Sequence, residues 1–176
     1  MSVLIALLFL AFLPARADDT PVVQRDAPYE ILPARQWDFT HLHLNLTIDP
    51  HEGTVWGTAT HTVKPLAKAH NKVRLYQEHL DIEAVWVDQE SVENFRVTDG
   101  LLDIPARPGV PHEIKVQYRA APETGLHFRS PKGSADRILE VWSQGEGPDN
   151  RHWFPGWDYP NDRFTFSGTF TMPESL

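Results

Sequence analysis

The chain has 176 residues, no cysteine and a formal net charge of -8, with 16 Lys and Arg against 24 Asp and Glu. The acidic balance disfavours nucleic acid and anionic membrane as partners. The absence of cysteine excludes a disulfide-stapled scaffold, and the length suits one domain with a real core.

Val3 to Leu13 is an unbroken apolar run, too short to cross a bilayer as a helix. Pro14-Ala15-Arg16-Ala17 follows, with small residues at the positions a signal peptidase reads. Residues 1–17 are therefore expected to be a cleaved signal peptide. The mature chain would begin at Asp18, be exported to a periplasm or secreted, and keep no membrane span. An exported domain without disulfides tilts the expectation towards a bacterial periplasm. Residues 18–36 contain Pro21, Pro28 and Pro33 with no apolar period and read as an extended N-terminal arm. Residues 37–176 form the remaining domain.

Strand signals fill that domain. From Asp38 to Ile48 the sequence alternates, with Leu42, Leu44, Leu46 and Ile48 on one face and His41, His43, Asn45 and Thr47 on the other. Asp49-Pro50-His51-Glu52-Gly53 is a turn, and Thr54–Val63 the return strand. Facing Ile48 with Val55 also faces Leu46 with Gly57, Leu44 with Ala59 and Leu42 with His61. That register keeps one side of the sheet apolar. Further strands are predicted at Val73–Tyr76, Ile82–Asp88, Phe95–Thr98, Leu101–Ile104, Glu113–Tyr118, Ile138–Trp142 and Arg163–Met172. Asp99-Gly100 marks a tight hairpin. The last strand places Phe164, Phe166, Gly168, Phe170 and Met172 on one face. No window has a helical period, so the fold class is all-β, an antiparallel β-sandwich.

Nine histidines make a metal site the first thing to test. A peptidase zinc helix needs His-Glu-x-x-His, which returns the second imidazole to the same face. His51-Glu52 meets Val55 at that place, and His112-Glu113 meets Val116, so both fail. His41 and His43 share a strand face, but the register sends His61 to the opposite one, and polar residues on a wet sheet face is the favoured reading. Ser91, Ser130, Ser134, Ser143 and Ser167 lack a glycine-elbow context. The densest segment is 140–160, with Trp142, Trp153 and Trp157, half of the chain's six tryptophans. Such a loop either packs down or lines a contact surface. Within it, Gln144-Gly145-Glu146 offers an amide and a carboxylate two residues apart at a strand end. The pair suits a carbonyl and an ammonium, and Gly145 suits close approach of a ligand.

Trp142-Ser143-Gln144-Gly145-Glu146, then Asn150-Arg151-His152-Trp153-Phe154-Pro155, then Asp158-Tyr159-Pro160, resembles the signature closing the N-terminal domain of the aminopeptidase N family of zinc metallopeptidases. Ser143 stands for the family's usual Thr, Gly156 for its usual Cys, and Met172-Pro173 for its closing Val-Pro pair. The hairpin from Leu42 to Thr60 is also similar to that domain's opening, so the likeness covers most of residues 37–174.

The resemblance implies a saddle-like β-sandwich lying over a catalytic domain. It implies substrate-binding roles for Gln144, which would touch the peptide backbone near the scissile bond, and Glu146, which would hold the free α-amine. Arg151, Phe154, Pro155, Asp158 and Pro160 match positions taken as structural. In the family the Gly-x-Met-Glu-Asn loop and the His-Glu-x-x-His helix belong to the next domain, and neither is within residues 1–176. The expectation is therefore the substrate-contacting part of an exported zinc aminopeptidase. Its catalytic residues and zinc ligands would lie outside this chain, and its partners would be a peptide N-terminus and the catalytic domain. The alternative is a free-standing sandwich module that binds protein or carbohydrate through the Trp-rich loop.

Overall fold

The computed structural model describes residues 32–66, 70–129 and 140–173. The expected signal peptide and residues 18–31 of the arm lie outside these, as do Ile138 and Leu139 of one expected strand. The described residues form strands β1 (Trp37–Asp49), β2 (Thr54–Pro65), β3 (Lys72–Tyr76), β4 (Asp81–Val87), β5 (Glu90–Ser91), β6 (Arg96–Thr98), β7 (Leu101–Pro105), β8 (His112–Ala120), β9 (Leu126–Arg129), β10 (Glu140–Ser143) and β11 (Thr165–Thr171). One 3-10 turn, Asn150–His152, interrupts them. The fold is all-β.

Three sheets result. The largest has the order β11-β1-β2-β8-β4-β5; β3-β7-β6 and β10-β9 form the smaller two. The β1–β2 register is the expected one, Leu42↔His61, Leu44↔Ala59, Leu46↔Gly57 and Ile48↔Val55. Period-two alternation and the short turn at residues 49–53 fix it together, because a slip of one residue would turn four leucine and isoleucine side chains into water. A bulge between Phe39 and His41 breaks the ladder, and the Phe39 N–H donates instead to Asp162 Oδ2 at 3.0 Å. Asp162 also pairs with Arg35, and Asn161 Nδ2 donates to the Pro33 carbonyl at 3.0 Å. The end of the arm is thus tied to the loop before β11.

The inner face of the large sheet is covered twice. Over one half, Val73, Leu75, Leu102 and Ile104 of the three-stranded sheet pack on Trp37, Phe39, Val63, Val85, Ile114 and Val116. Over the other, Leu126 of β9 and Trp153, with Phe128, Val141 and Phe154 at the margin, pack on Leu42, Leu44, Leu46, Ile48, Val55 and Tyr118. Full burial of such side chains is worth about 1.5–3 kcal/mol each.

Two features depart from an antiparallel sandwich read strand by strand. β9 and the two-residue β5 fall outside the predicted strands; β9 carries only Leu126 and Phe128 as alternating apolar residues, too short a pattern to stand out. And β11 runs parallel to β1, with Leu42↔Phe166, Leu44↔Gly168 and Leu46↔Phe170. A parallel neighbour needs a crossover rather than a hairpin, and the long excursion from β2 through residue 164 supplies it.

Candidate substrate-contact site

Residues 140–160 divide at Asn150. In the second half Arg151, Asp158 and the aromatic residues turn into the fold. The Arg151 backbone N–H and Nε both donate to Asp158 Oδ2, at 3.1 and 3.2 Å. The guanidinium lies 4.8 Å from the Tyr76 ring centroid and 5.1 Å from that of Tyr159, where ring quadrupoles add to the attraction. Gly156 exchanges two backbone hydrogen bonds with Tyr76, at 2.8 and 3.0 Å. A Cβ at Gly156 would sit 3.1 Å from the Phe154 ring and 3.6 Å from His61, so the glycine at the usual cysteine position leaves these rings room to close. His61 is buried, and its Nε2–H donates to the Pro155 carbonyl at 2.8 Å. Burial pushes its pKa down to about 4, against a smaller upward pull from that carbonyl. Trp153 and Trp157 are buried, and Arg151, Phe154, Pro155 and Asp158 take structural places.

The first half faces outward. β10 pairs with β9 in the register Glu140↔Arg129, Val141↔Phe128, Trp142↔His127 and Ser143↔Leu126. Val141 and Phe128 turn to the core. The alternate residues turn away: Arg129 reaches Glu140 at 3.4 Å, and His127 stacks on Trp142 with centroids 4.3 Å apart and planes at 23°. One step further, the Gln144 N–H donates to the Gly125 carbonyl at 2.9 Å. Gly125 has φ +79°, and a Cβ there would meet the Asp149 carbonyl and the Trp153 ring. Opposite Gln144 the hairpin therefore carries no side chain.

Gln144 and Glu146 are both exposed. Gly145 serves differently from the expectation: a Cβ there would meet the Asn150 side chain at 2.4 Å. The missing side chain makes room for Asn150, whose Oδ1 accepts the Trp153 Nε1–H at 3.3 Å. The exposed pair is thereby fastened to the buried half. Separately, Glu78, His79, Glu123, Thr124 and His152 line a recess of about 510 Å³ that neither Gln144 nor Glu146 borders. The sequence reading missed it because its residues come from three distant segments.

Three further histidines are hydrogen-bonded to protein groups. His41 bonds the hydroxyls of Thr165 (2.7 Å) and Ser167 (2.9 Å), and His43 that of Ser167 (2.8 Å). His112 bonds Asp88 at 2.7 Å and the Arg107 carbonyl at 2.9 Å. Burial works against the Asp88 carboxylate, but the Glu113 N–H, His112 and Arg107 outweigh it and hold its pKa below the usual range. Among the described residues no group of three or more His, Cys, Asp or Glu is placed to hold a metal ion. Among the same described residues no helix is long and apolar enough to cross a membrane. The described residues therefore do not fit a zinc ion, and no zinc-dependent step is assigned to them.

The class defined so far is a two-layer β-domain that shows one amide and one carboxylate on a pinned, outward loop. The family model described as "Peptidase M1 N-terminal domain" matches residues 38–176, and the chain belongs to that family. The fold is similar to that of yeast LTA4 hydrolase, at 22% identity and TM-score 0.69, covering 78% of this chain and 23% of that one. It is also similar to an M1 zinc metallopeptidase from Deinococcus radiodurans, at 23% identity and TM-score 0.65, covering 79% and 33%. Legionella pneumophila aminopeptidase A, in complex with aspartic acid, follows at 18% identity and TM-score 0.65, covering 80% and 16%. The chain thus spans a third or less of these solved relatives. No curated protein matches it in sequence.

Proposed function

We propose that this chain is the substrate-contacting domain of an exported zinc aminopeptidase, in which Glu146 receives the free α-ammonium of a peptide and Gln144 bonds its backbone beside the scissile bond. The observation that carries the reading is the division of the signature segment. Arg151, Phe154, Pro155 and Asp158 are spent on packing, while Gln144 and Glu146 stay exposed and unspent on a loop held from behind by Asn150 and Gly125. A carboxylate is the direct partner for a cationic chain end, and closing such a pair into a cleft of lower dielectric strengthens it. Zinc and the groups that activate water would be supplied by a catalytic domain outside these residues.

The edge of the large sheet supports a second body against this one. Phe166 is 56% exposed, Phe170 43%, Met172 42% and Phe164 36%. Phe166 and Phe170 continue the leucine face of β1 beyond the point where any described layer covers it. A contiguous apolar strip of this kind marks an interaction surface and weighs against a module that acts alone.

The test is kinetic, on the intact protein that carries this domain. It should release free-amine amino-acid arylamides and spare their N-acetylated forms. Glu146→Gln should raise KM for the former about ten- to hundredfold, the worth of one charge-assisted hydrogen bond. Absence of aminopeptidase activity in the wild type would sink the proposal. An unchanged KM in the variant would remove Glu146 from the site.

A further inference from the structure

The outward face of the β9–β10 hairpin is a ladder of three rungs. Arg129 and Glu140 form a charged rung, His127 and Trp142 an aromatic one, and Gly125 and Gln144 the last, where only the glutamine has a side chain. Trp142 is 46% exposed, although tryptophan is the costliest side chain to leave in water. Nothing in the fold requires it outside: Val141, its neighbour, carries the hairpin's packing on the core. His127 fixes the indole in a near-parallel stack, so the ring is a rigid shelf with little rotamer freedom left to lose on contact.

We infer that the Trp142–His127 rung is a side-chain subsite for the peptide, on the carboxyl side of the bond that is cut. The inference rests on the aminopeptidase reading and extends it. Side chains two apart on a strand are separated by about 6.6–6.8 Å, two residues of extended chain. With the peptide's amine at Glu146 and its first peptide bond at Gln144, a substrate following the ladder brings its second or third residue over Trp142. An apolar or aromatic side chain gains most there, by stacking and by removal of the indole from water. The Arg129–Glu140 rung beyond is charge-paired and offers a later residue no net charge.

The experiment compares leucinamide, which has no residue beyond the first, with leucyl tripeptides carrying phenylalanine or glycine at positions two and three. Rates are measured with the intact enzyme. The wild type should prefer a phenylalanine peptide to leucinamide and to the all-glycine peptide. Trp142→Ala should reduce that preference, as a ratio of kcat/KM values, about tenfold. Trp142→Phe should keep most of it, and His127→Ala should lose part. Thermal melting of each variant within a few degrees of wild type shows that the hairpin still folds. An unchanged ratio, or an equal loss on all substrates, would overturn the subsite while leaving the aminopeptidase reading in place. If the wild type cleaves none of the substrates, the aminopeptidase reading falls, and the subsite with it.

Discussion

The two halves of the 140–160 segment, adjacent in sequence, have opposite physical characters. Asn150 to Tyr159 is cross-tied, with Arg151 and Asp158 bound to each other, Gly156 bonded to β3, and Pro155 held by His61. Trp142 to Gly147 turns outward, its side chains unneeded for packing except through the bare backbone at Gly145. The lesson is that a signature can hold two kinds of residue at similar density, those that shape a loop and those that the loop displays. Composition does not separate them, and burial does.

Breaking the inner half should therefore cost most. Asp158→Ala leaves Arg151, only 14% exposed, with its cationic side chain stripped of its carboxylate; breaking one partner of such a pair costs about 3–5 kcal/mol. Urea unfolding reads the loss directly, and a cost below about 1 kcal/mol would mean the pair is no more than a surface contact.

Acid should cost slightly less, through His61. In the unfolded chain its imidazole takes up a proton near 6.5, and in the fold only near 4. Between these values the unfolded state holds more protons, so this contribution is intact above pH 6.5 and drains away as pH falls through 4. The total is about 3 kcal/mol at 1.36 kcal/mol per pKa unit. Denaturation at pH 7 and pH 4.5 should show a larger loss in wild type than in His61→Gln, and equal losses would place the acid sensitivity elsewhere.

The outer half should barely register in stability. Gln144→Ala and Glu146→Gln should each change unfolding free energy by less than about 0.5 kcal/mol, and a larger loss would show the pair to be part of the fold rather than displayed by it.

Much of the fold was legible. The β1–β2 register followed from two signals together. Alternation puts Leu42, Leu44, Leu46 and Ile48 on one face and rules out a slip of one residue, and the short turn at residues 49–53 sets Ile48 opposite Val55. That same register placed His61 on the core side, away from His41 and His43. β9 was not legible, since two apolar residues in four make no period. Nor was the direction of β11: alternation says which face a strand buries, not which neighbour it joins or which way it runs. The motif residues were legible as a set and not by role. Gly145, read as room for a ligand, is room for Asn150.

By itself the sequence determined an all-β domain, the face each long strand would bury, and the family that the chain belongs to. Those depend on local period and on residue identity at fixed spacing, which the chain carries in order. Only the tertiary structure decided that Phe166 and Phe170 lie uncovered at a sheet edge, that Trp142 stacks on His127, and that Arg151 and Asp158 close on each other while Gln144 and Glu146 stay open. Each of these depends on which distant segment arrives alongside, and burial is a property of neighbours rather than of the residue itself.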